Sequence, residues 1–262
     1  MNFLHKNTNV YFTSTGKGSA VVLLHGFLEN SSMWNAVASV LSEKNRVICI
    51  DLLGHGKTEN HGYIHTMEDQ AEMVKDVLNH LRLKKHVLIG HSMGGYIALA
   101  FAKLFSQNVK GLCLMNSTAL PDTEEKKTNR NRAIKVVKQN YKTFVRIAIP
   151  MLFSEENRTI FTSEIKQITN EALQISPQGI IASLEGMKIR KNNTSMYKNA
   201  NFPIQLIIGK QDPALEYASL INQTKNTKVQ VVEFPDGHMS HIENKDELIK
   251  NLTPFVKQCF KH

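Results

Sequence analysis

The apolar run Val87-Leu88-Ile89 passes through Gly90-His91-Ser92-Met93-Gly94 straight into a second apolar stretch at 96–104. The first run predicts a strand and the second a buried helix, so a single serine must turn the chain sharply between them. Side chains at the flanking glycines would collide with the neighbouring strand and helix, which is why the pattern is G-x-S-x-G. The turn lifts the Ser92 hydroxyl above the sheet and sets it beside the free N–H groups of a helix N-terminus. A nucleophilic serine is the reading this join favours. A turn serine without chemistry is the plain alternative.

The rest of the chain alternates strand and helix signals. Residues 9–14 and 19–25 are short β-rich runs joined by a hairpin-like turn at Gly16-Lys17-Gly18. A helix is predicted over 33–41 and a strand over 46–52, apolar in succession as a parallel strand covered on both faces should be. In 66–83, Met67, Ala71, Val74, Leu78 and Leu81 recur at helical spacing, with Thr66 and Asp69 resembling a capping box. Another strand follows at 109–115. After Pro121 the rhythm stops, and 122–200 reads as helices interrupted at Pro150, Pro177 and Gly179. Strands return at 204–208 and 229–234, before a helix over 245–259 kinked or restarted near Pro254. The expectation is an α/β core of 1–120 and 201–262, with a helical insertion of 121–200 at the carboxyl ends of the strands.

Composition removes several classes. The 262 residues suffice for one substantial core, or a core plus a lid. No run of about 18 apolar residues predicts a membrane span, and the N-terminal residues show no secretory h-region. Cys49, Cys113 and Cys259 are odd in number, and the first two lie in strand-like runs. Free buried thiols in a reducing cytoplasm are expected. The net charge is +9, and residues 121–200 hold 14 Lys/Arg against 8 Asp/Glu, so 6 of the 9 charges lie there. The densest run, 126–132, has no aromatic residue to stack on bases, so no nucleic-acid partner is expected. A solvated helix face is the simpler account of it, with a modest pull on anionic substrates as the alternative. A monomer or a homodimer is compatible with these features.

A serine nucleophile needs a base, an acid to orient that base, and donors for the oxyanion, each at the carboxyl end of a strand. His238 lies four residues past Phe234, at that edge, and is favoured over His241, which already turns into the terminal helix. Asp212 follows the 204–208 strand and is favoured as the acid over Asp236, which is too near His238 in the chain for an easy orienting bond. The loop after 109–115 offers Asn116, Ser117 and Thr118 but no carboxylate until Asp122. The order Ser92, Asp212, His238 is the one that accompanies a nucleophile elbow. For the oxyanion hole the N–H groups of Met93 and Phe27 are the candidates, with His25 pinning the Phe27 loop. Residues 51–58 end like a phosphate-binding loop, but Asp51 stands where its first glycine belongs, so no nucleotide site is expected. His61 and His65 lack an H-E-x-x-H frame, so no metal is expected either.

These motifs, in this order, resemble the α/β-hydrolase superfamily over nearly the whole chain. His25-Gly26-Phe27 resembles its oxyanion loop, 51–58 its D-x-x-G-H-G-x-S turn with Thr58 for Ser, and 90–95 its elbow. Gly209-Lys210-Gln211-Asp212 and 237–243 resemble its acid and base loops. The resemblance implies an α/β-hydrolase fold: a mostly parallel sheet of about eight strands flanked by helices, with a helical cap domain inserted after the sixth. The segment around Gly186-Met187 and Arg190 is similar to one found in bacterial single-domain hydrolases, where Arg190 would tie cap to core. Dehalogenases and epoxide hydrolases of this superfamily carry Asp at the elbow. Ser92 therefore leaves a serine esterase acting on a small-molecule ester without a cofactor. The same catalytic triad could serve C–C bond hydrolysis, a menaquinone-pathway lyase or a perhydrolase, and the fold also serves ligand receptors. Trp34, Phe144, Ile147, Met151, Leu152, Phe153, Phe161 and Met187 are candidates for an apolar substrate pocket, or for plain core.

Overall fold

The structure is a computed structural model describing residues 1–261. Eight strands form one sheet in the order β1-β2-β4-β3-β5-β6-β7-β8. They are β1 (Asn2–His5), β2 (Thr8–Thr15), β3 (Ala20–Leu24), β4 (Arg46–Ile50), β5 (His86–His91), β6 (Val109–Met115), β7 (Ile204–Gly209) and β8 (Gln230–Phe234). From β4 to β8 all neighbours are parallel, and β1 and β2 add an antiparallel edge.

The unbroken apolar runs are explained by two separate cores. Val22, Leu24, Ile48, Leu88, Leu112, Leu114 and Leu206 point into one, and Val21, Leu23, Val47, Val87, Ile89, Cys113 and Ile207 into the other. Successive residues of a strand face opposite sides, so consecutive apolar residues serve both layers. The first layer is covered by α2 (Met67–His80) and α3 (Met93–Leu104), the second by α1 (Asn35–Leu41) and α11 (Lys245–Cys259). Helix α2 starts as expected, the Thr66 hydroxyl accepting the Asp69 N–H at 3.0 Å. All three cysteines are free and buried. Among the described residues no helix is long and apolar enough to cross a membrane.

Between β6 and β7 the chain makes only helices: α4 (Glu124–Ala148), α5 (Asn157–Ile160), α6 (Thr162–Ala172), α7 (Pro177–Lys188) and α8 (Met196–Asn199). Helix α4 breaks at Asn140, whose φ of −157° and ψ of 84° are not helical. Helix α7 approaches the chain before α2 so closely that a Cβ on Gly186 would collide with the His65 carbonyl. Gly186→Ala is expected to cost about 1–3 kcal/mol through overpacking, seen as a thermal midpoint several degrees lower. An unchanged midpoint would show that the two segments separate freely.

Two expectations need correction. The Gly16–Gly18 turn is not a hairpin, because β4 lies between β2 and β3 and pairs with both. Central β3 is fully buried and has a parallel partner on each side, which leaves β2 to pair beyond β4. The strand β1 went unforeseen, being short and half exposed; Lys6 and Asn7, both at positive φ, turn it back onto β2. Two short helices were also unforeseen: α9 (Tyr217–Thr224), which carries the crossover between parallel β7 and β8, and α10 (Ser240–Glu243).

Candidate active site

Ser92 stands between β5 and α3 with φ 49° and ψ −113°, a strained conformation for a residue with a side chain. The turn is over-determined by its surroundings. Ser92 N–H donates to the Met115 carbonyl at 2.9 Å, and the Ser117 hydroxyl donates to the Ser92 carbonyl at 2.8 Å. A Cβ on Gly94 would strike the Leu24 carbonyl, so this glycine lets α3 press against β3. Met93 opens α3, so its N–H has no acceptor within the helix.

The loops after β7 and β8 bring Asp212 and His238 together. His238 Nδ1 lies 2.7 Å from Asp212 Oδ2, and both side chains are buried. The other carboxylate oxygen accepts the N–H groups of Ala214 at 2.8 Å and Leu215 at 3.1 Å. Burial pushes the Asp212 carboxyl up, but the His238 ring, the Ala214 N–H and the Asn116 amide together hold it below its ordinary value. Asn116, at φ 45° just past β6, donates from Nδ2 to Asp212 at 3.2 Å and to the Gly237 carbonyl at 3.1 Å. It thus fixes the acid and base loops with one amide. The sequence marks Asn116 only as a polar residue at a strand end. The rivals are placed elsewhere: Asp236 accepts from Asn244 at 2.6 Å, and His241 lies beside Glu29.

Behind the elbow is a second arrangement. Glu29 accepts the Gly26 N–H at 2.8 Å, and its Oε2 lies 2.7 Å from His91 Nδ1. His91 Nε2 faces the His238 carbonyl at 2.9 Å. A carbonyl can only accept, so His91 Nε2 carries hydrogen. Burial pushes the Glu29 carboxyl up, but His91 and its neighbouring rings outweigh this and bring it down to about 2. The carboxylate is therefore ionised and His91 Nδ1 carries hydrogen too. Burial lowers the His91 pKa, but the Glu29 charge, its hydrogen bond and the His238 carbonyl raise it overall. Glu29, His91 and His241 have metal-ligand chemistry within 4.8 Å of one another. Both His91 ring nitrogens are already engaged, by Glu29 and by the His238 carbonyl.

The preceding loop is pinned as anticipated. His25 Nε2 accepts the Leu52 N–H at 2.9 Å, leaving Nδ1–H to donate to the Gly26 carbonyl at 2.8 Å. The Asp51 carboxylate accepts the N–H groups of Ser31 at 2.7 Å and Lys57 at 2.8 Å. Within Asp51–Thr58 the Asp51 carboxylate thus takes up the Lys57 amide. Thr58 keeps the hydroxyl of the usual serine, donating to the Asp51 carbonyl at 2.7 Å.

Ser92 and His238 open into a cleft of about 700 Å³. Phe27, Phe144, Leu152, Leu184 and Met187 supply apolar lining, and α4 adds Lys126, Asn129, Arg130 and Ala133. Five other pocket candidates, Trp34, Ile147, Met151, Phe153 and Phe161, are not among the residues that line the cleft. Trp34 is fully buried in the layer under α1 and α11. Phe153 is fully buried near the Phe161 ring, and Ile147 and Met151 are 62% and 52% exposed. The break at Asn140 resets the helical phase, so spacing alone could not tell which apolar residues of α4 face inward.

The insertion is tied to the sheet. Arg190 donates to Asp122 at 2.5 Å, to the Leu120 carbonyl at 3.1 Å and to the Met187 carbonyl at 3.0 Å, with its guanidinium 4.1 Å from the centre of the Tyr96 ring. Arg130 binds the same carboxylate. Glu243 accepts from Ser154 N–H at 2.9 Å, Ser154 Oγ at 3.1 Å, Asn157 Nδ2 at 3.0 Å, Gly237 N–H at 3.2 Å and Met239 N–H at 3.0 Å. The His238 N–H donates to the Leu152 carbonyl at 2.9 Å.

The description "alpha/beta hydrolase fold" matches residues 19–245. The first curated relatives, uncharacterized mycobacterial proteins, are 36% identical over 106 residues, and the chain spans 31% of the length of each. A putative 2-succinyl-6-hydroxy-2,4-cyclohexadiene-1-carboxylate synthase of Bacillus subtilis is 30% identical, with 90% of both chains covered. Among solved structures, a thermophilic esterase from Thermogutta terrifontis with malate bound superposes at a TM-score of 0.88. It is 29% identical and covers 96% of this chain and 94% of its own.

Proposed function

Since the chain belongs to the α/β-hydrolase family, we propose that it is a serine hydrolase that cleaves a carboxylic ester through an acyl-enzyme on Ser92. One observation carries this reading: Ser92, on a strained elbow, shares a cleft with His238, whose Nδ1 is held 2.7 Å from a buried carboxylate. Asp212 fixes hydrogen on His238 Nδ1, leaving Nε2 to take the Ser92 proton as Oγ attacks the ester carbonyl. The oxyanion collects on the N–H groups of Met93 and Phe27. His238 then protonates the departing alcohol, and a water activated by the same ring releases the acid. Phe144, Leu152, Leu184 and Met187 receive the apolar part of the substrate under the helical insertion, which acts as a cap. The esterase relative supports this choice of substrate class.

The test is covalent. A fluorophosphonate reagent is expected to add one phosphonyl group per chain, on the peptide containing Ser92, with ester turnover falling in step. Labelling at another residue, or full labelling with turnover intact, overturns the proposal. A second reading comes from the Bacillus relative, in which the same three residues would serve an elimination. Formation of 2-succinyl-6-hydroxy-2,4-cyclohexadiene-1-carboxylate by a protein inert to esters would decide for it.

A further inference from the structure

The first turns of α4 give the cleft a polar lining where a helix facing inward is ordinarily apolar. Lys126, Asn129, Arg130 and Ala133 recur at spacings of three and four, so one face of α4 looks into the cleft along its first turns. Lys126 and Arg130 put two cations on this face. The Asp122 carboxylate is shared by Arg130 and Arg190, one negative charge against two positive. Lys126 adds a third positive charge, half-buried, and its ammonium makes no hydrogen bond or ion pair among the described residues. Its pKa is lowered by burial and by repulsion from Arg190 and Arg130, against the pull of Asp122 and Asp212. Glu125 and Glu216 also line the cleft but are exposed, so water screens them. A partly buried cation without a partner is costly, and an anion placed beside it offsets that cost.

We propose that Lys126 is a specificity-determining residue that receives a carboxylate carried by the substrate, so that the preferred esters are anionic. The proposal rests on the hydrolase reading above and names the substrate class for that cleft. A substrate carboxylate in the cleft would pair with the Lys126 ammonium, with Arg130 one turn further along α4. The apolar lining residues would hold the carbon chain.

The experiment compares matched esters. Mono-4-nitrophenyl glutarate against 4-nitrophenyl pentanoate places the charge on the acyl side. 4-Acetoxybenzoate against its methyl ester places it on the alcohol side. The readout is the ratio of kcat/KM, anionic over neutral, in the wild type and in Lys126→Met, Lys126→Arg and Lys126→Glu. For at least one pair the ratio is expected to fall about 10- to 100-fold in Lys126→Met, the range for a charge-assisted contact. It should fall further in Lys126→Glu and be largely restored in Lys126→Arg. Ratios that stay the same across all four proteins in both pairs overturn the proposal while leaving the hydrolase reading standing. A wild-type protein that hydrolyses none of the four esters overturns the hydrolase reading, and this one with it.

Discussion

Replacing Ser92 with alanine is expected to lower kcat/KM for an activated ester by about 10³-fold or more, with His238→Ala costing a similar factor. Under the proposed mechanism Ser92 forms the covalent bond and His238 moves the proton, so neither step survives alone. Asp212→Asn should cost somewhat less, because the ring remains but loses the partner that fixes its tautomer. The three losses should not add: Ser92→Ala combined with His238→Ala should be no slower than either alone. Ser92 is a small, partly exposed side chain outside both apolar layers, so its removal should leave the thermal midpoint near that of the wild type. A Ser92→Ala protein that kept wild-type turnover would sink the assignment of the nucleophile.

Acid should unfold this protein through its buried histidines. Burial is the leading cause of low pKa values in five histidines: His25 is lowered, His55 and His86 are brought to about 3, and the remaining two, His65 and His241, to about 4. In the unfolded chain each takes a proton near pH 6.5, whereas in the folded protein His55, His86, His65 and His241 admit none until the pH is two or more units lower. The unfolded state thus binds more protons, and stability is present above pH 6.5 and lost as the pH falls. Each of these four groups contributes about 1.4 kcal/mol per pH unit in that window, so together they give roughly 5 kcal/mol per unit. Against a total stability of about 5–15 kcal/mol, this is enough to unfold the chain between about pH 5 and 4. His91 works the other way, stabilising below pH 6.5, and Glu29 gives way only toward pH 2. Urea unfolding at half-unit steps from pH 7.5 to 4.5 measures the slope. His86 has both ring nitrogens buried without partners, so His86→Leu should flatten the slope by about one proton. A stability that stays level from pH 7 to 5 would show that these rings are hydrated or protonated in the folded state.

The parts of this architecture legible in the sequence are those whose cause is local. Strands covered on both faces read as unbroken apolar runs, and the elbow is a short string of residues. Asp212 and His238 can be singled out because each lies a few positions past a strand whose end is visible. What stayed hidden depends on contacts distant in the chain. Glu29 meets His91 across 62 positions, and Asn116 meets Asp212 across 96. Neither could be singled out from its neighbours, though both sit in loops at the right edge of the sheet. The cleft lining failed for another reason, since the break at Asn140 shifts the inward face of α4 partway along.

The bonds from Glu243 and His238 to residues 152–157 bear on how such proteins could be recombined. Residues 121–200 form one continuous stretch of sequence, the kind that invites transplantation from one relative to another. Yet the segment holding the base loop in place lies inside that stretch, in the Leu152 carbonyl, the Ser154 amide and hydroxyl, and the Asn157 amide. Exchanging the whole stretch would replace the support of His238 together with the walls of the cleft. A graft that kept residues 150–157 from the host would change one without the other.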